Sequence, residues 1–83
     1  MIFIAEIDVM PLKALLDPQG KAVNMSMHNL GFDQVKNVRI GKHITIELEA
    51  ASKEKAANIT EELCIKILTN PIIEDYHFSI NSF

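Results

Sequence analysis

Residues 15–32 read Leu-Leu-Asp-Pro-Gln-Gly-Lys-Ala-Val-Asn-Met-Ser-Met-His-Asn-Leu-Gly-Phe, and this stretch contains both ends of a helix. Asp17 can accept a backbone N–H bond as the N-cap, and Pro18 suits the first helical position, where a missing N–H costs nothing. Gly31 supplies the left-handed residue that commonly follows a helix. The stretch therefore predicts a helix from Pro18 to Leu30.

Within this helix, apolar side chains recur with helical spacing. Val23, Met27 and Leu30 stand at i, i+4 and i+7, so we expect them to form a buried stripe that Gly20 extends. Met25 points the opposite way and is either an isolated surface residue or a contact to a partner.

Residues 35–50 alternate between apolar and polar side chains, and the phase does not slip across Gly41 and Lys42. A two-residue hairpin there would break this phase, whereas a three-residue loop or one strand bent at Gly41 would keep it. A continuous strand would be long, roughly 50 Å at ~3.3 Å per residue. Such a strand would extend beyond its own domain, where the strands of another subunit could pair with it.

Three further elements follow from the same reasoning. Two alternating strands and one amphipathic helix are predicted over Ile2–Val9, Ile72–Ile80 and Lys53–Thr69. Phe3, Ala5, Ile7 and Val9 share the core face of the first strand. The order strand, helix, strand, helix, strand predicts one α+β domain over residues 1–83, with an antiparallel sheet, two helices and a long central strand.

Ser52 can cap the second helix, and Ile65 faces away from its apolar side. The expected core stripe of this helix comprises Ala56, Ile59, Thr60, Leu63, Cys64 and Ile67.

Composition excludes several classes of protein. A net charge of −3 and a pI near 5.5 argue against a nucleic-acid-binding module, which needs a clustered basic footprint. No apolar run approaches the ~20 residues of a membrane span, and the N-terminus lacks the basic start of a signal peptide, so we expect a cytosolic protein. An isolated domain of 83 residues buries only ~60% of the surface that its unfolded chain exposes, and 48% hydrophobic residues favour further burial in an oligomer.

The residues that carry chemistry form no recognisable active site. His28, His43 and His77 lack neighbouring ligands at helical spacing, so we expect no metal. Cys64 lies on the predicted core stripe, where its thiol should be inert. Asp17-Pro18-Gln19-Gly20 is a poor phosphate cradle because it holds one glycine and begins with a negative charge. We therefore predict no catalytic residue and no cofactor.

Two groups of polar side chains are candidate docking surfaces for partner proteins, although a capped helix and a charged sheet edge would also explain them. The first lies at the entrance of the first helix and the second around Gly41; they comprise Asp17, Gln19 and Lys21, and Arg39, Lys42 and His43. We expect Arg39 and Lys42 to serve docking rather than folding, and Arg39 to matter more, because its planar fork suits a carboxylate on a partner.

Three motifs in this order resemble the PurS family, the small subunit of phosphoribosylformylglycinamidine synthase. They read Leu-Asp-Pro-Gln-Gly-Lys-Ala-Val, Asn-Leu-Gly-Phe and Val-Lys-Asn-Val-Arg-Ile-Gly-Lys, and they lie between Leu16 and Lys42. The resemblance extends over most of the chain, and it implies a PurS-like fold related to the ferredoxin-like domains.

The resemblance also implies a function. In that family a complex converts formylglycinamide ribonucleotide, glutamine and ATP to formylglycinamidine ribonucleotide in purine biosynthesis. The expected role is a non-catalytic subunit that links the PurQ-type glutaminase to the PurL-type synthetase and aids ammonia transfer. We expect the chain to form a homodimer or a dimer of dimers and to have no activity by itself.

One alternative belongs to another class of protein. A ferredoxin-like regulatory domain could bind a small molecule, such as an amino acid, at a dimer interface. That interpretation requires Gly41, Lys42 and His43 to form a true turn between two strands. A stand-alone enzyme is a third possibility, and it is disfavoured because the chain has no catalytic constellation.

Overall fold

A computed structural model of the chain describes residues 1–13, 15 and 17–82. Three strands and two helices follow one another, the second helix ending in a π-helical turn: β1 (Ile2–Pro11), α1 (Pro18–Asn29), β2 (Lys42–Glu49), α2 (Lys53–Leu63, with the turn Cys64–Leu68) and β3 (Glu74–Ser82). The strands form an antiparallel sheet in the order β2-β1-β3. The predicted α+β fold with two helices is confirmed.

The core lies between one face of the sheet and α2. The four predicted core residues of β1 are all at most 1% exposed: Phe3, Ala5, Ile7 and Val9. Strand pairing places Ile7 between Ile44 of β2 and Phe78 of β3, so each buried row crosses all three strands. Because side chains alternate along a strand, the opposite face of the sheet carries the polar residues.

Helix α2 begins as predicted and packs on the sheet through one narrow stripe. The Ser52 hydroxyl caps the helix by accepting the Lys55 N–H at 3.2 Å. Ala56 and Thr60 are fully buried, and the Thr60 hydroxyl donates to the Ala56 carbonyl at 2.9 Å. The prediction for Ile59 is wrong, since its side chain is 41% exposed. It lies one residue off the i, i+4 row of Ala56, Thr60 and Cys64 that is buried against the sheet.

The π-helical turn shifts the end of the stripe. Cys64 is buried, and its carbonyl accepts both the Thr69 N–H at 3.1 Å and the Thr69 hydroxyl at 2.7 Å. Because a π turn closes at i+5, it holds more residues than an α-helical turn. Leu68 therefore packs toward the core, and Ile67, which was predicted to be buried, is 72% exposed.

This change of phase can be tested with two adjacent residues. Leu68→Ala should lower the melting temperature by several degrees, because removing a half-buried Leu side chain costs about 1–2 kcal/mol, less than in a full core. Ile67→Ala should change the melting temperature little. Thermal melts followed by circular dichroism measure both. A larger loss at Ile67 would mean that the helix continues without the π turn.

The expectation of a long central strand needs correction. The central strand is β1, whereas β2 lies at the sheet edge and has only eight residues. The pairing between β1 and β2 ends at Val9 and Lys42, and Lys42 is the first residue of β2. Residues 35–41 lie in part against the end of β1, where Gly41 approaches the Val9 carbonyl, but they form no regular strand.

The structure also contradicts the regulatory-domain alternative, which required a turn at residues 41–43. Lys42 and His43 instead lie in β2, where they pair with Val9 and Asp8 of β1. The chain runs through Gly41 into the strand without reversing. The interpretation as a ferredoxin-like regulatory domain that binds a small molecule is therefore wrong in its structural premise.

Helix α1 has the predicted ends but not the predicted burial. Asp17 caps its start, and Gly31 after it has a φ of +99°. Of the predicted buried stripe only Gly20 is buried; Leu30 is 76% exposed, while Val23 and Met27 are half-buried. The cause is the position of α1, which lies outside the layer formed by the sheet and α2.

We call residues 18–41, which comprise α1 and the segment that returns to β2, the arm. The molecule measures 51 × 26 × 14 Å, and its long dimension exceeds the ~33 Å that the ten residues of β1 can span. The arm thus extends the molecule along one direction and leaves apolar side chains exposed. None of the helices in the described residues has the length and apolar character that a membrane crossing requires.

Candidate functional site

Asp17 fastens the two ends of the arm to each other. Its Oδ1 accepts the Gly20 N–H at 3.0 Å, and its Oδ2 accepts the Ile40 N–H at 2.9 Å. Both backbone hydrogen bonds lower the pKa of the Asp17 carboxyl, and the bond from Gly20 has the larger effect. The positive charge of the nearby Arg39 lowers this pKa further. Asp17, which the sequence offered as a docking residue, therefore has its carboxylate occupied within the chain.

A cleft of about 530 Å³ lies beside this joint, between the start of α1, the end of β1 and the approach to β3. Most of its lining is apolar, with Pro11, Ile40 and Ile73 among the residues. The cleft brings together three of the predicted docking residues, which come from both groups: Asp17, Gln19 and Lys42.

A second, smaller groove of about 230 Å³ lies on the other side of Asp17. We call it the basic groove, because its polar lining comprises, besides the Asp17 carboxylate, three cations and two amides: Lys13, Lys21, Arg39, Asn24 and Asn37. The sequence prediction included Lys21 and Arg39 but missed the other three residues. No periodicity could reveal them, since Lys13 and Asn37 are distant along the chain and meet only because the arm folds back.

Arg39 has a role inside the fold as well. Its Nη2 donates a hydrogen bond to the Pro11 carbonyl, across 28 positions of sequence. This contact joins the return segment of the arm to the end of β1 and fixes the direction of the guanidinium. The expectation that Arg39 serves docking rather than folding therefore needs correction, because this side chain joins two segments of the fold and also lines the basic groove.

His43 lies apart from the other docking candidates. Adjacent residues of a strand point to opposite faces, so Lys42 faces the cleft while His43 lies on the open face of the sheet. There its Nδ1 lies 2.6 Å from Oδ1 of Asp8, in a shallow depression with Glu6 and His77. The six candidates, which the sequence placed in two groups, thus lie at three sites: the cleft, the basic groove and the open face of the sheet.

The hydrogen bond with Asp8, followed by the charges of Asp8 and Glu6, raises the pKa of His43 above its usual value of 6.5. His43 therefore contributes fully to folding stability at a pH below its pKa in the unfolded chain. This contribution is lost as the pH rises through its pKa in the folded chain. Nuclear magnetic resonance titration should place the His43 pKa above 6.5, and Asp8→Asn should lower it. If the pKa is the same in both proteins, the hydrogen bond does not cause the shift.

Neither a thiol nor a metal site adds chemistry in the part of the chain that the structure describes. Burial raises the pKa of the Cys64 thiol, which keeps it in the unreactive protonated form. No group of three or more His, Cys, Asp or Glu side chains within residues 1–13, 15 and 17–82 could hold a metal ion. What the described surface offers is a cleft, a basic groove and exposed apolar side chains.

Comparisons with known proteins agree along the whole chain. The family model "PurS: Phosphoribosylformylglycinamidine (FGAM) synthase" matches residues 4–82. The chain is 35% identical over 68 residues to the phosphoribosylformylglycinamidine synthase subunit PurS of Bacillus subtilis, which covers 82% of this chain and 80% of that protein. For the PurS subunit of Methanocaldococcus jannaschii the identity is 38% over 68 residues, with 82% of each chain covered.

Solved structures agree as well. A chain from the structure of PurLQS from Thermotoga maritima superposes with a TM-score of 0.89 at 33% identity, covering 98% of this chain and 99% of that one. The crystal structure of Methanocaldococcus jannaschii PurS gives a TM-score of 0.87 at 32% identity, with 98% of both chains covered. Since sequence and fold match from the first strand to the last, the chain belongs to the PurS family of phosphoribosylformylglycinamidine synthase subunits.

Proposed function

We propose that this protein is a non-catalytic subunit that links the glutaminase and synthetase subunits of phosphoribosylformylglycinamidine synthase and aids the transfer of ammonia between them. One observation carries the proposal. The chain matches, over 98% of its length, a chain in a structure of PurLQS, a complex whose name joins PurS to PurL and PurQ. The role follows from membership of the family.

The exposed apolar side chains support a role in binding other proteins. Leu30 and Phe32 of the arm are 76% and 54% exposed, and Ile67 and Ile72 near the end of α2 are 72% and 81% exposed. Covering such exposed apolar side chains in a complex is favourable, because each Å² of apolar surface removed from water contributes roughly 25 cal/mol. The arm and the end of α2 give this chain two such regions.

We further propose that the chain forms a homodimer or a dimer of dimers. The arm carries the helix stripe Val23, Met27 and Leu30, which the described part of the same chain leaves half-buried or exposed. Strands β2 and β3 are both sheet edges and can pair with a strand from another copy. A second copy with the same arm would cover both features symmetrically.

Docking to the larger subunits is proposed for the cleft and for the basic groove. Between them they hold five of the six residues suggested by the sequence; His43, on the open sheet face, is the sixth. We also propose that the subunit acts in the cytoplasm together with these partners.

The proposal is tested by native mass spectrometry of the purified chain mixed with the PurL-type and PurQ-type subunits of the same organism. We expect a ternary complex containing more than one copy of this chain, and weaker or no association of the two large subunits without it. A mixture in which the large subunits associate fully and this chain remains unbound would contradict the linking role.

A further inference from the structure

We propose that the basic groove binds a carboxylate side chain carried by an acidic segment of one of the larger partner subunits. The inference rests on the proposed function and names the chemistry of the contact. It concerns the groove formed by Lys13, Lys21, Arg39, Asn24 and Asn37, and not the apolar cleft on the other side of Asp17.

Positive charge is concentrated around the basic groove. Three of the eight Lys and Arg residues of a chain with net charge −3 surround one groove of about 230 Å³. Within the described residues, none of these three cations lies within 4.0 Å of a carboxylate oxygen. The one carboxylate in the lining, that of Asp17, already accepts two backbone N–H groups. The groove therefore attracts an anion from outside, and a complementary charge on a partner would guide association.

The donor set is the second argument. The hydrogen bond from Arg39 to the Pro11 carbonyl holds the guanidinium in place, so less side-chain freedom is lost when its other N–H groups bind. A planar guanidinium matches a carboxylate in two parallel hydrogen bonds. Lys13 and Lys21 add mobile positive charge, and the amides of Asn24 and Asn37 can each donate as well.

Leu15 and Val38 favour a protein segment over an inorganic anion. Both apolar residues line the same groove, and Leu15 is 43% exposed. A peptide segment that carries a carboxylate also brings apolar groups that can cover these side chains, and removing them from water adds to the binding free energy. Inorganic phosphate matches the cations but has no apolar group to place there.

The test compares two charge reversals at the start of helices. Lys21→Glu lies in the first turns of α1 and in the groove, whereas Lys55→Glu lies in the first turn of α2, away from it. Both side chains are exposed and both variants change the charge equally near a helix N-terminus, so their folding should respond alike. Titration calorimetry measures the affinity of each variant for the PurL-type and PurQ-type subunits at low and high ionic strength.

We expect Lys21→Glu to weaken binding to one larger subunit about tenfold or more at low salt, with a smaller ratio at high salt because screening reduces the attraction. Lys55→Glu should bind like the wild type. Equal weakening by both variants, or by neither, would overturn the proposal. So would loss of self-association by Lys21→Glu with unchanged partner affinity, because the groove would then face a second copy.

A parallel titration with inorganic phosphate tests whether the groove binds a small anion instead of a partner's carboxylate. Saturable shifts of the Asn24 and Asn37 side-chain amide resonances on adding phosphate, together with unchanged partner affinity of Lys21→Glu, would make the groove a small-anion site and overturn the proposal. If the wild-type chain binds neither larger subunit, the proposed function fails. If the wild type binds and Lys21→Glu binds equally well, only the present inference fails.

Discussion

The melting temperature of the Ile7→Ala variant will drop by at least about 10 °C, and the variant will keep only a small margin of stability at 37 °C. Ile7 is fully buried at the centre of the middle strand, where it packs with Val9 and Cys64 and pairs with Ile44 and Phe78. Truncating such a side chain costs ~2–5 kcal/mol. A domain of this size has a total stability near the lower end of ~5–15 kcal/mol.

The matched control lies on the same strand. Ile4→Ala removes the same atoms from the opposite face of β1, where the side chain is only half-buried. Thermal and urea melts of the two variants should show a much smaller loss for Ile4→Ala. Equal losses would mean that the open face of the sheet is covered as tightly as the core face, and that the layer described between the sheet and α2 is not the main core.

The second large effect is expected in the oligomer. Leu30→Asp should convert the chain to a monomer at micromolar concentration, because Leu30 lies at the tip of α1 with 76% of its surface exposed in the single chain. A dimer that covers this side chain would have to bury a carboxylate in its place, which costs several kcal/mol unless the charge is paired. Analytical ultracentrifugation measures the change of mass.

Asn29→Asp separates the two effects of this substitution. It adds the same charge at the neighbouring position, which is also exposed, without removing an apolar side chain. We expect this variant to remain a dimer. If Leu30→Asp sediments as the wild-type oligomer does, the arm is not the self-interface, and its apolar residues must contact another partner or none.

Sequence reasoning succeeded where the determinants of structure are local. Asp17 and Ser52 each accept the backbone N–H of the residue three positions later, so the starts of both helices follow from single residues. Alternation in the first strand identified Phe3, Ala5, Ile7 and Val9, because every second side chain must face the same side.

Sequence reasoning failed where the burial of a side chain depends on which surface packs against it. The stripe Val23, Met27 and Leu30 has the periodicity of a buried helix, but periodicity does not say whether the covering surface belongs to the same chain. The burial of Ile67 failed for a different reason. One π turn changes the phase of a helix, and nothing in the composition of residues 64–68 distinguishes that turn from an α-helical one.

The candidate site was predicted only in part for the same reason. Lys21 and Arg39 were placed in separate groups, although the folded arm brings both to one groove. Conversely, Lys42 and His43 were grouped because they are adjacent in sequence, yet a strand directs them to opposite faces of the sheet. Proximity in sequence predicts proximity in space along a helix and fails across a strand.

Glutamine-dependent turnover of the synthase tests the central claim most directly. The PurL-type and PurQ-type subunits are assayed with glutamine and ATP, with and without this chain, and an ammonium salt replaces glutamine in a parallel reaction. We predict that glutamine-dependent formation of formylglycinamidine ribonucleotide requires the chain, whereas the ammonium-dependent reaction of the synthetase does not. Full glutamine-dependent turnover from the two larger subunits alone would contradict the assignment of this chain as the subunit that links them.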